Sequence, residues 1–234
     1  MRKPLSIAVA QPPCVSYDVA ANAATHADVV RSAGARVVVF PEMSLTGYEL
    51  DAPAITAGDP RLAPLVRACA RTGTVALAGA PVRGESGAAH IAILAFDGTG
   101  ARVAYRKMWL GAAEAERFAP GGEPAVLEVD GRRLGLAICK DTGIVRHSAD
   151  TAALGMDVYV AGVLEHAKDA AVRDERARRI AADHRVWVAV ASFAGSTGGG
   201  FTRAAGGSGI WAPGGAVLAQ AGTEAGAVVR AVLE

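Results

Sequence analysis

The sequence predicts a layered α/β protein in which mixed β-sheets carry helices on their outer faces. Short apolar runs alternate with longer segments of helical periodicity. Leu5–Ala10 and Arg36–Phe40 are largely apolar, as strands buried on both faces are. Between them a helix is predicted over Asp18–Ala33, because an N-cap residue begins the segment and Gly34 follows at the C-cap position. This βαβ unit implies that the sheet contains parallel strands.

Two pairs of segments are predicted to form antiparallel hairpins, because residues typical of tight turns separate their strands. The pairs are Ala89–Phe96 with Arg102–Tyr105, and Val126–Val129 with Arg133–Ile138. Asp130-Gly131 joins the second pair and is the strongest short hairpin signal in the chain. The other predicted elements are helices at Arg61–Arg71, His147–Leu154 and Lys168–His184, and strands at Thr74–Ala80, Val158–Ala161, Val186–Ser192, Gly209–Ala212, Ala216–Gln220 and Ala227–Val232.

Bulk properties favour a single domain that acts on a small molecule. The 234 residues are enough for one sizeable core without a shift in composition, so we expect one domain over residues 1–234. The net charge of +1 gives no electrostatic reason to expect nucleic acid or an anionic membrane as a partner. No apolar stretch has the length of a transmembrane helix, and Leu5–Ala10 is too short for a signal-peptide core.

The three cysteines lie far apart, and no CxxC pair occurs. A disulfide framework is therefore excluded, no zinc pattern is present, and we expect a reducing, cytoplasmic compartment. Cys69 is predicted to be a buried thiol in a helix, and Cys14 to lie in a loop after two prolines. No phosphate-binding loop or metalloprotease motif occurs, and Gly206–Ile210 fails the serine-hydrolase pattern at its last position. We expect no metal and no cofactor.

Three segments place a reactive side chain at the end of a predicted strand. Glu42 follows Phe40-Pro41, where apolar surroundings would desolvate its carboxylate and raise its pKa towards that of a general base. Lys107 has aromatic and aliphatic neighbours, so it is a candidate for a buried ammonium that stabilises an oxyanion. Cys139 precedes a turn and a helix, whose N–H groups would favour the thiolate. Each alone also has a structural interpretation: a capping carboxylate, a packed lysine and an inert thiol.

Taken in order, the three segments resemble the signature of the nitrilase superfamily of carbon–nitrogen hydrolases, amidase-like branch. The matching residues are Phe40-Pro41-Glu42, Tyr105-Arg106-Lys107 with Leu110, and Ile138-Cys139-Lys140-Asp141. Supporting matches are Ile7–Gln11, Thr46-Gly47-Tyr48, Phe118–Gly121 and Gly207–Gly215. The resemblance therefore extends over nearly the whole chain.

The resemblance implies a single-domain, four-layer α-β-β-α sandwich that hydrolyses a non-peptide C–N bond in a small amide. Cys139 would be the nucleophile, Glu42 the general base and Lys107 the oxyanion stabiliser. The family also has a second glutamate that orients the lysine, and the spacing to Phe118–Gly121 favours Glu114 over Glu116. The candidate pocket residues are Tyr48, Trp109, Lys140 and Glu165, with His166 and Phe193 as further candidates.

The sequence departs from the family pattern at positions that line the pocket in the family. Thr142–Val145 replaces a common F-P-E stretch, Trp109 stands where histidine is common, and Gly162–Glu165 replaces a proline-led segment. These departures bear on the substrate, so a nitrile or an N-carbamoyl compound stays an alternative to an amide. A non-catalytic assembly protein of the same fold is the alternative from another class.

The family commonly forms homodimers, often through the elements that follow the cysteine. In this chain those elements include the helix predicted at His147–Leu154. Ala152, Ala153 and Met156, at and just after its end, lie beside one another and are small enough for close helix approach, so we expect them at a homodimer contact.

Overall fold

Two six-stranded sheets stack face to face in the computed structural model, which describes residues 3–84 and 87–234. The first sheet comprises β1 (Leu5–Gln11), β2 (Val37–Val39), β3 (Val75–Arg83), β4 (Ala89–Asp97), β5 (Gly100–Arg106) and β14 (Ala227–Leu233), in the spatial order β14-β1-β2-β3-β4-β5. The second comprises β6 (Ala125–Val129), β7 (Arg132–Ile138), β8 (Val158–Val163), β9 (Trp187–Ser192), β12 (Gly209–Trp211) and β13 (Val217–Gln220), in the order β13-β12-β9-β8-β7-β6.

The two sheets share one pairing pattern. Strands β1, β2 and β3 are parallel, as are β7, β8 and β9. An antiparallel strand lies on each side of each trio: β14 and β4 in the first sheet, β12 and β6 in the second. The predicted hairpins β4–β5 and β6–β7 are both formed. In the first sheet Ile7 pairs with Val37, and in the second Leu134 pairs with Val158. The mixed sheets predicted from the sequence are therefore confirmed.

Strand alternation divides the apolar residues among three cores, which separate four layers. Ile7 and Val39 point between the sheets and pack with Leu136 of the second sheet. The helices are α1 (Val19–Ala33), α2 (Ala63–Thr72), α3 (Ala112–Ala115), α4 (Val145–Ala153) and α5 (Ala170–His184). Helices α1 and α2 cover the outer face of the first sheet, and α5 packs on the outer face of the second. The α-β-β-α sandwich implied by the resemblance is confirmed.

The helix ends follow local sequence signals. Asp18 caps α1 by accepting a hydrogen bond from the N–H of Ala21 at 2.9 Å, and Gly34 ends it with φ +57°. Helices α2 and α5 begin later than predicted, because short 3₁₀ turns at Pro60–Leu62 and Ala167–Asp169 precede them. Helix α3 and the short hairpin of β10 (Ala194–Gly195) with β11 (Ala204–Ala205) were not predicted, since such short elements produce no periodic signal.

The expected dimer contact is corrected at Met156, which is not available on the surface. It is buried on its own sheet beneath α4, where a Cβ on Gly135 would lie only 2.7 Å from its sulfur. Ala152 is half-buried and packs against the same core, whereas Ala153 is exposed. Val145 at the start of α4 is 58% exposed. The homodimer itself stays a prediction.

Within the described residues, no helix is long and apolar enough to cross a membrane. The same residues contain no group of three or more His, Cys, Asp or Glu side chains placed to hold a metal ion. Cys69 is buried and Cys14 is half-buried in a loop, as the sequence predicts.

Candidate active site

The carboxyl ends of the parallel strands bring Glu42 and Cys139 to one end of the sandwich. Glu42 follows β2, and its backbone runs between two glycines, one from each sheet. A Cβ on Gly79 of β3 would lie 2.1 Å from the Met43 nitrogen, and one on Gly162 of β8 would lie 2.9 Å from the Glu42 nitrogen. Only glycine fits at such a close backbone approach. The two glycines therefore let Glu42 enter the space between the sheets, where it is 1% exposed.

Lys107 follows β5 and places its ammonium between two carboxylates. Its Nζ lies 2.6 Å from Glu42 Oε1 and 2.7 Å from Glu114 Oε1, and the lysine side chain is 1% exposed. Burial acts to lower the pKa of Lys107, but the negative charges around it, led by Glu42, outweigh burial and raise the pKa. Lys107 is therefore a fixed positive charge. Two of its three N–H donors are engaged by carboxylates, so a third can serve another acceptor.

Glu114, and not Glu116, is the glutamate that contacts the lysine. Its other carboxylate oxygen, Oε2, accepts a hydrogen bond from the N–H of Gly111 at 2.6 Å, and Tyr48 donates its hydroxyl to Oε1 at 3.0 Å. Glu116 is exposed, two residues further along the chain. Helix α3 is thus a single turn that points Glu114 inward, and Glu114 holds the ammonium together with Glu42.

The cluster holds one more negative charge than positive charge when both carboxylates are ionised. Burial raises the pKa of Glu42 to about 7, opposed by Lys107 and reinforced by the negative charge of Glu114. Oε1 of Glu42 is engaged by Lys107, while Oε2 is buried and meets no hydrogen-bonding partner among the described residues. Glu42 can therefore take up a proton near neutral pH at Oε2, as a general base requires.

Cys139 stands at the first residue of a short turn after β7, in a strained conformation. Its φ is +42°, which a residue with a side chain adopts only when its surroundings hold it there. The thiol donates to the carbonyl of Leu164 at 3.4 Å. The expected stabilisation of the thiolate by the turn and helix is wrong, because burial and the negative charge of Glu42 raise the pKa of Cys139 well above its usual value. Cys139 would therefore act as a nucleophile only if a base removed its proton.

The turn that carries Cys139 is held by Asp141, which is fully buried. One carboxylate oxygen accepts from the N–H of Ile138 at 2.9 Å and from the hydroxyl of Tyr105 at 2.8 Å. The other oxygen accepts from the N–H of Trp109 at 3.0 Å. His147 contacts Tyr105 in turn, at 2.9 Å. The sequence predicts only that His147 lies in a helix, because nothing in the helix pattern indicates that its ring reaches Tyr105 on the first sheet.

Two pocket candidates lie close to the cluster. Tyr48 links to Glu114, as described above, and also packs edge-on against Phe201, with ring centroids 5.5 Å apart. Glu165 is half-buried, and its negative charge contributes to the raised pKa of Cys139. Burial raises the pKa of Glu165, opposed by Arg176, which donates to it at 3.1 Å. Phe201 and Arg176 were not predicted from the sequence.

The other candidates make contacts that are mainly structural. Trp109 packs edge-on against His147 at 5.5 Å, behind the cysteine turn. The side chain of Lys140 is exposed and donates to the carbonyl of Leu110 at 2.6 Å, so only its backbone N–H remains a candidate near the thiol. His166 is exposed and stacks on a phenylalanine ring, and Phe193 is buried in a small apolar cluster.

The chain belongs to the carbon–nitrogen hydrolase family, whose model matches residues 6–233. A curated protein of Pseudomonas protegens, named a hydrolase in the pqqF 5′ region, is 29% identical over 97% of this chain and 82% of its own length. The fold and the family together define a hydrolase of the nitrilase superfamily.

Solved structures of the superfamily share the fold. The NitN amidase of Nesterenkonia sp. AN1 superposes with a TM-score of 0.88 at 23% identity, covering 98% of this chain and 93% of that one. Nit3 of Saccharomyces cerevisiae, a member of branch 10 of the superfamily, superposes with a TM-score of 0.88 at 20% identity, covering 99% and 90%. A variant of the Nesterenkonia amidase, 22% identical over 98% and 93% with a TM-score of 0.88, carries acrylamide added to its active-site cysteine.

Proposed function

We propose that this protein hydrolyses the C–N bond of a small amide, with Cys139 as nucleophile, Glu42 as general base and Lys107 as oxyanion stabiliser. The observation that carries the proposal is the buried cluster beside Cys139, in which Lys107 holds its ammonium 2.6 Å from Glu42 and 2.7 Å from Glu114. Stability alone gives a non-catalytic protein little reason to keep this arrangement, because replacing buried ion pairs by well-packed apolar side chains is often neutral or stabilising.

In the first half of the reaction, the amide is converted into a thioester. The Cys139 thiol gives its proton to Oε2 of Glu42 while the sulfur attacks the carbonyl carbon. The third N–H donor of Lys107 and the backbone N–H of Lys140 stabilise the oxyanion, each contributing about 3 kcal/mol to the transition state. The C–N bond then breaks, and the leaving nitrogen takes the proton from Glu42 and departs as ammonia or an amine.

In the second half, water cleaves the thioester. Glu42 takes a proton from the water, whose oxygen attacks the same carbonyl carbon. The C–S bond breaks, the carboxylic acid leaves, and the sulfur recovers the proton from Glu42. Glu114 takes no proton in this sequence. Its contacts to Lys107, Tyr48 and Gly111 keep the ammonium in place while the charge on Glu42 changes.

An amide is favoured over a nitrile or an N-carbamoyl compound by the relatives whose fold matches. The Nesterenkonia protein is named an amidase, and a variant of it carries an acrylamide adduct at its cysteine. Incubation with matched amide, nitrile and N-carbamoyl compounds, followed by assays for ammonia and for the mass of the protein, separates the three. Ammonia release from the nitrile alone would overturn the amide assignment.

The nucleophile is tested by Cys139→Ser, which we expect to keep the fold and lose nearly all turnover. A hydroxyl beside a carboxylate is a much weaker nucleophile than a thiol that loses its proton to the same base. Mass spectrometry of the intact protein should show an acyl adduct on the parent and none on the variant. Cys69→Ser is the matched control, since that thiol is buried in α2 on the outer face of the first sheet. An adduct that persists in Cys139→Ser would contradict the assignment.

We further propose that the protein assembles as a homodimer through the surface that includes the start of α4. Val145 is a large apolar side chain exposed at that surface, next to the turn that carries Cys139. A two-fold interface uses the same surface of both subunits, so each substitution occurs twice in it. Val145→Arg should therefore place two charges in the contact and yield monomers by light scattering. The exposed Val217 on β13 gives a matched control in Val217→Arg. A parent that is monomeric at micromolar concentration would contradict this assembly.

A further inference from the structure

A chain of buried hydrogen bonds runs behind the Cys139 turn and connects the two sheets. Tyr159 on β8 lies with its hydroxyl 2.9 Å from Nδ1 of His147 on α4. Nε2 of the same ring lies 2.9 Å from the hydroxyl of Tyr105 on β5. That hydroxyl donates to Asp141 at 2.8 Å, and all four side chains are buried.

Asp141, the last residue of this hydrogen-bond chain, contacts both the segment that carries Cys139 and the segment that carries Lys107. Asp141 accepts from the N–H of Ile138, the residue before the strained Cys139. It also accepts from the N–H of Trp109, two residues after Lys107. Tyr105 lies on β5, two residues before Lys107, which follows that strand. A shift of Tyr105 or Asp141 would therefore move the thiol and the ammonium relative to each other.

The directions of the hydrogen bonds follow from a count of protons. Tyr105 has one hydroxyl proton, and it goes to the Asp141 carboxylate. The contact between Tyr105 and His147 therefore needs its proton from Nε2 of the ring. In a neutral ring Nδ1 is then bare, so Tyr159 donates to it. Burial lowers the pKa of His147, opposed by Asp141 and Asp150, which agrees with a neutral ring.

We propose that His147, held by Tyr159 and donating through Nε2 to Tyr105, is a positioning residue that sets the geometry of Cys139 relative to Glu42 and Lys107. This role rests on the proposed function of Cys139 as nucleophile. His147 touches neither the thiol nor the lysine cluster in any contact described above. It acts by fixing which way the Tyr105 hydroxyl donates, and hence where Asp141 holds the turn.

Two amide replacements of His147 separate positioning from simple packing. His147→Gln places an N–H donor near the position of Nε2 and can still donate to Tyr105. His147→Asn keeps a polar atom near Nδ1 but is too short to reach Tyr105. Tyr105→Phe removes only the hydroxyl, so it keeps the bulk of the core. Ser148→Ala is the matched control, because Ser148 is also buried on α4. Its hydroxyl makes hydrogen bonds with Val145 and His184, which do not belong to the hydrogen-bond chain from Tyr159 to Asp141.

The probe is iodoacetamide, because its reaction with Cys139 needs no knowledge of the substrate. We expect Tyr105→Phe and His147→Asn to alkylate at Cys139 about tenfold more slowly than the parent, since small displacements of reacting groups have effects of this size. His147→Gln should recover most of the parent rate, and Ser148→Ala should match it. Equal rates in Tyr105→Phe, His147→Asn and the control, or equal losses in the Gln and Asn variants, would overturn the positioning role.

A nitrogen NMR spectrum gives a second readout, the ring nitrogen of His147 that carries the proton. A purely packing role would not determine this position. The ring of His147 should be neutral with its proton on Nε2 in the parent. A proton on Nδ1 would overturn the proposal whatever the alkylation rates. The outcome for the parent thiol separates the two proposals. Cys139 that alkylates no faster than Cys14 would overturn the proposed function, whereas a fast parent with unchanged variants would overturn only the role of His147.

Discussion

Strand β2 has an ion pair at each of its ends, and the two pairs differ chiefly in burial. Beyond the carboxyl end of the strand, Lys107 pairs with Glu42, and the two side chains are 1% and 0% exposed. Before its amino end, Arg36 pairs with Asp130 in the hairpin turn of the other sheet, at 35% and 44% exposure. Both ends bring opposite charges within 2.8 Å of each other. Water reaches only the second pair.

The difference in burial gives the physical reason for proposing chemistry at one end and none at the other. A cleft of about 340 Å³ lies at the Arg36 end, lined by side chains of both signs, including Asp97 and Arg102. Solvent screens charges there and leaves little net interaction. At the Lys107 end, burial raises the pKa of Glu42 to about 7, so that one proton can move at neutral pH. The drier end is therefore the one at which we propose the chemistry.

The largest difference between the two ends of β2 is expected when the positive charge of each ion pair is removed. Lys107→Met keeps much of the side-chain bulk and deletes the charge, so kcat should fall by about 100-fold or more, the effect known for oxyanion donors. Arg36→Met makes the matched change at the exposed end and should leave kcat within about twofold of the parent, because surface ion pairs have small effects. Steady-state kinetics on the amide found for the parent measures both. Similar kcat values for the two variants would show that Lys107 only packs.

The pH dependence of the activity is the test with the next largest expected effect. Glu42 must be ionised to accept the thiol proton, and burial raises its pKa to about 7. Activity should therefore fall as pH drops through about 7, by about tenfold for each further pH unit, and should level off above it. The measurement is kcat/KM between pH 5 and 9, with circular dichroism to confirm that the fold persists. Asp130→Asn should leave the profile unchanged. A profile with its acid limb near the ordinary pKa of a glutamate would contradict the burial argument.

The sequence predicted the strands of the two six-stranded sheets, the β4–β5 and β6–β7 hairpins, and the three segments that carry Glu42, Lys107 and Cys139. Each of these depends on local periodicity or on a motif of a few residues. The sequence could not predict that Gly79 and Gly162 admit the Glu42 backbone, since that requires knowing that the two sheets meet there. The raised pKa of Cys139 was missed for the same reason. The motif suggested favourable N–H groups, whereas the structure adds burial and the charge of Glu42.

The long-range hydrogen bonds behind the cysteine turn were also invisible in the sequence. Tyr105 and His147 are 42 positions apart, and Tyr105 and Asp141 are 36 apart. Neither pair shares an element, so no helical or strand period relates them. Phe201 approaches Tyr48 from a segment that is even more distant along the chain. Contacts that form only where the two sheets pack together can be predicted only once the packing of the sheets is known.

The smallest expected effect belongs to the exposed pair. Asp130 has φ +52° in its hairpin turn, a conformation that asparagine tolerates well, so Asp130→Asn removes the charge with little backbone strain. We expect the free energy of unfolding in urea to fall by at most about 1 kcal/mol, the usual range for an exposed ion pair. Arg36 would keep its hydrogen bond to the carbonyl of Gly73 at 2.7 Å, which limits the loss further. Because salt screens exposed charges, the difference between variant and parent should shrink at 1 M salt. A loss of several kcal/mol that persists at high salt would mean that this pair is as protected from water as the one at Lys107. Burial would then no longer distinguish the proposed reactive end of β2 from the other end.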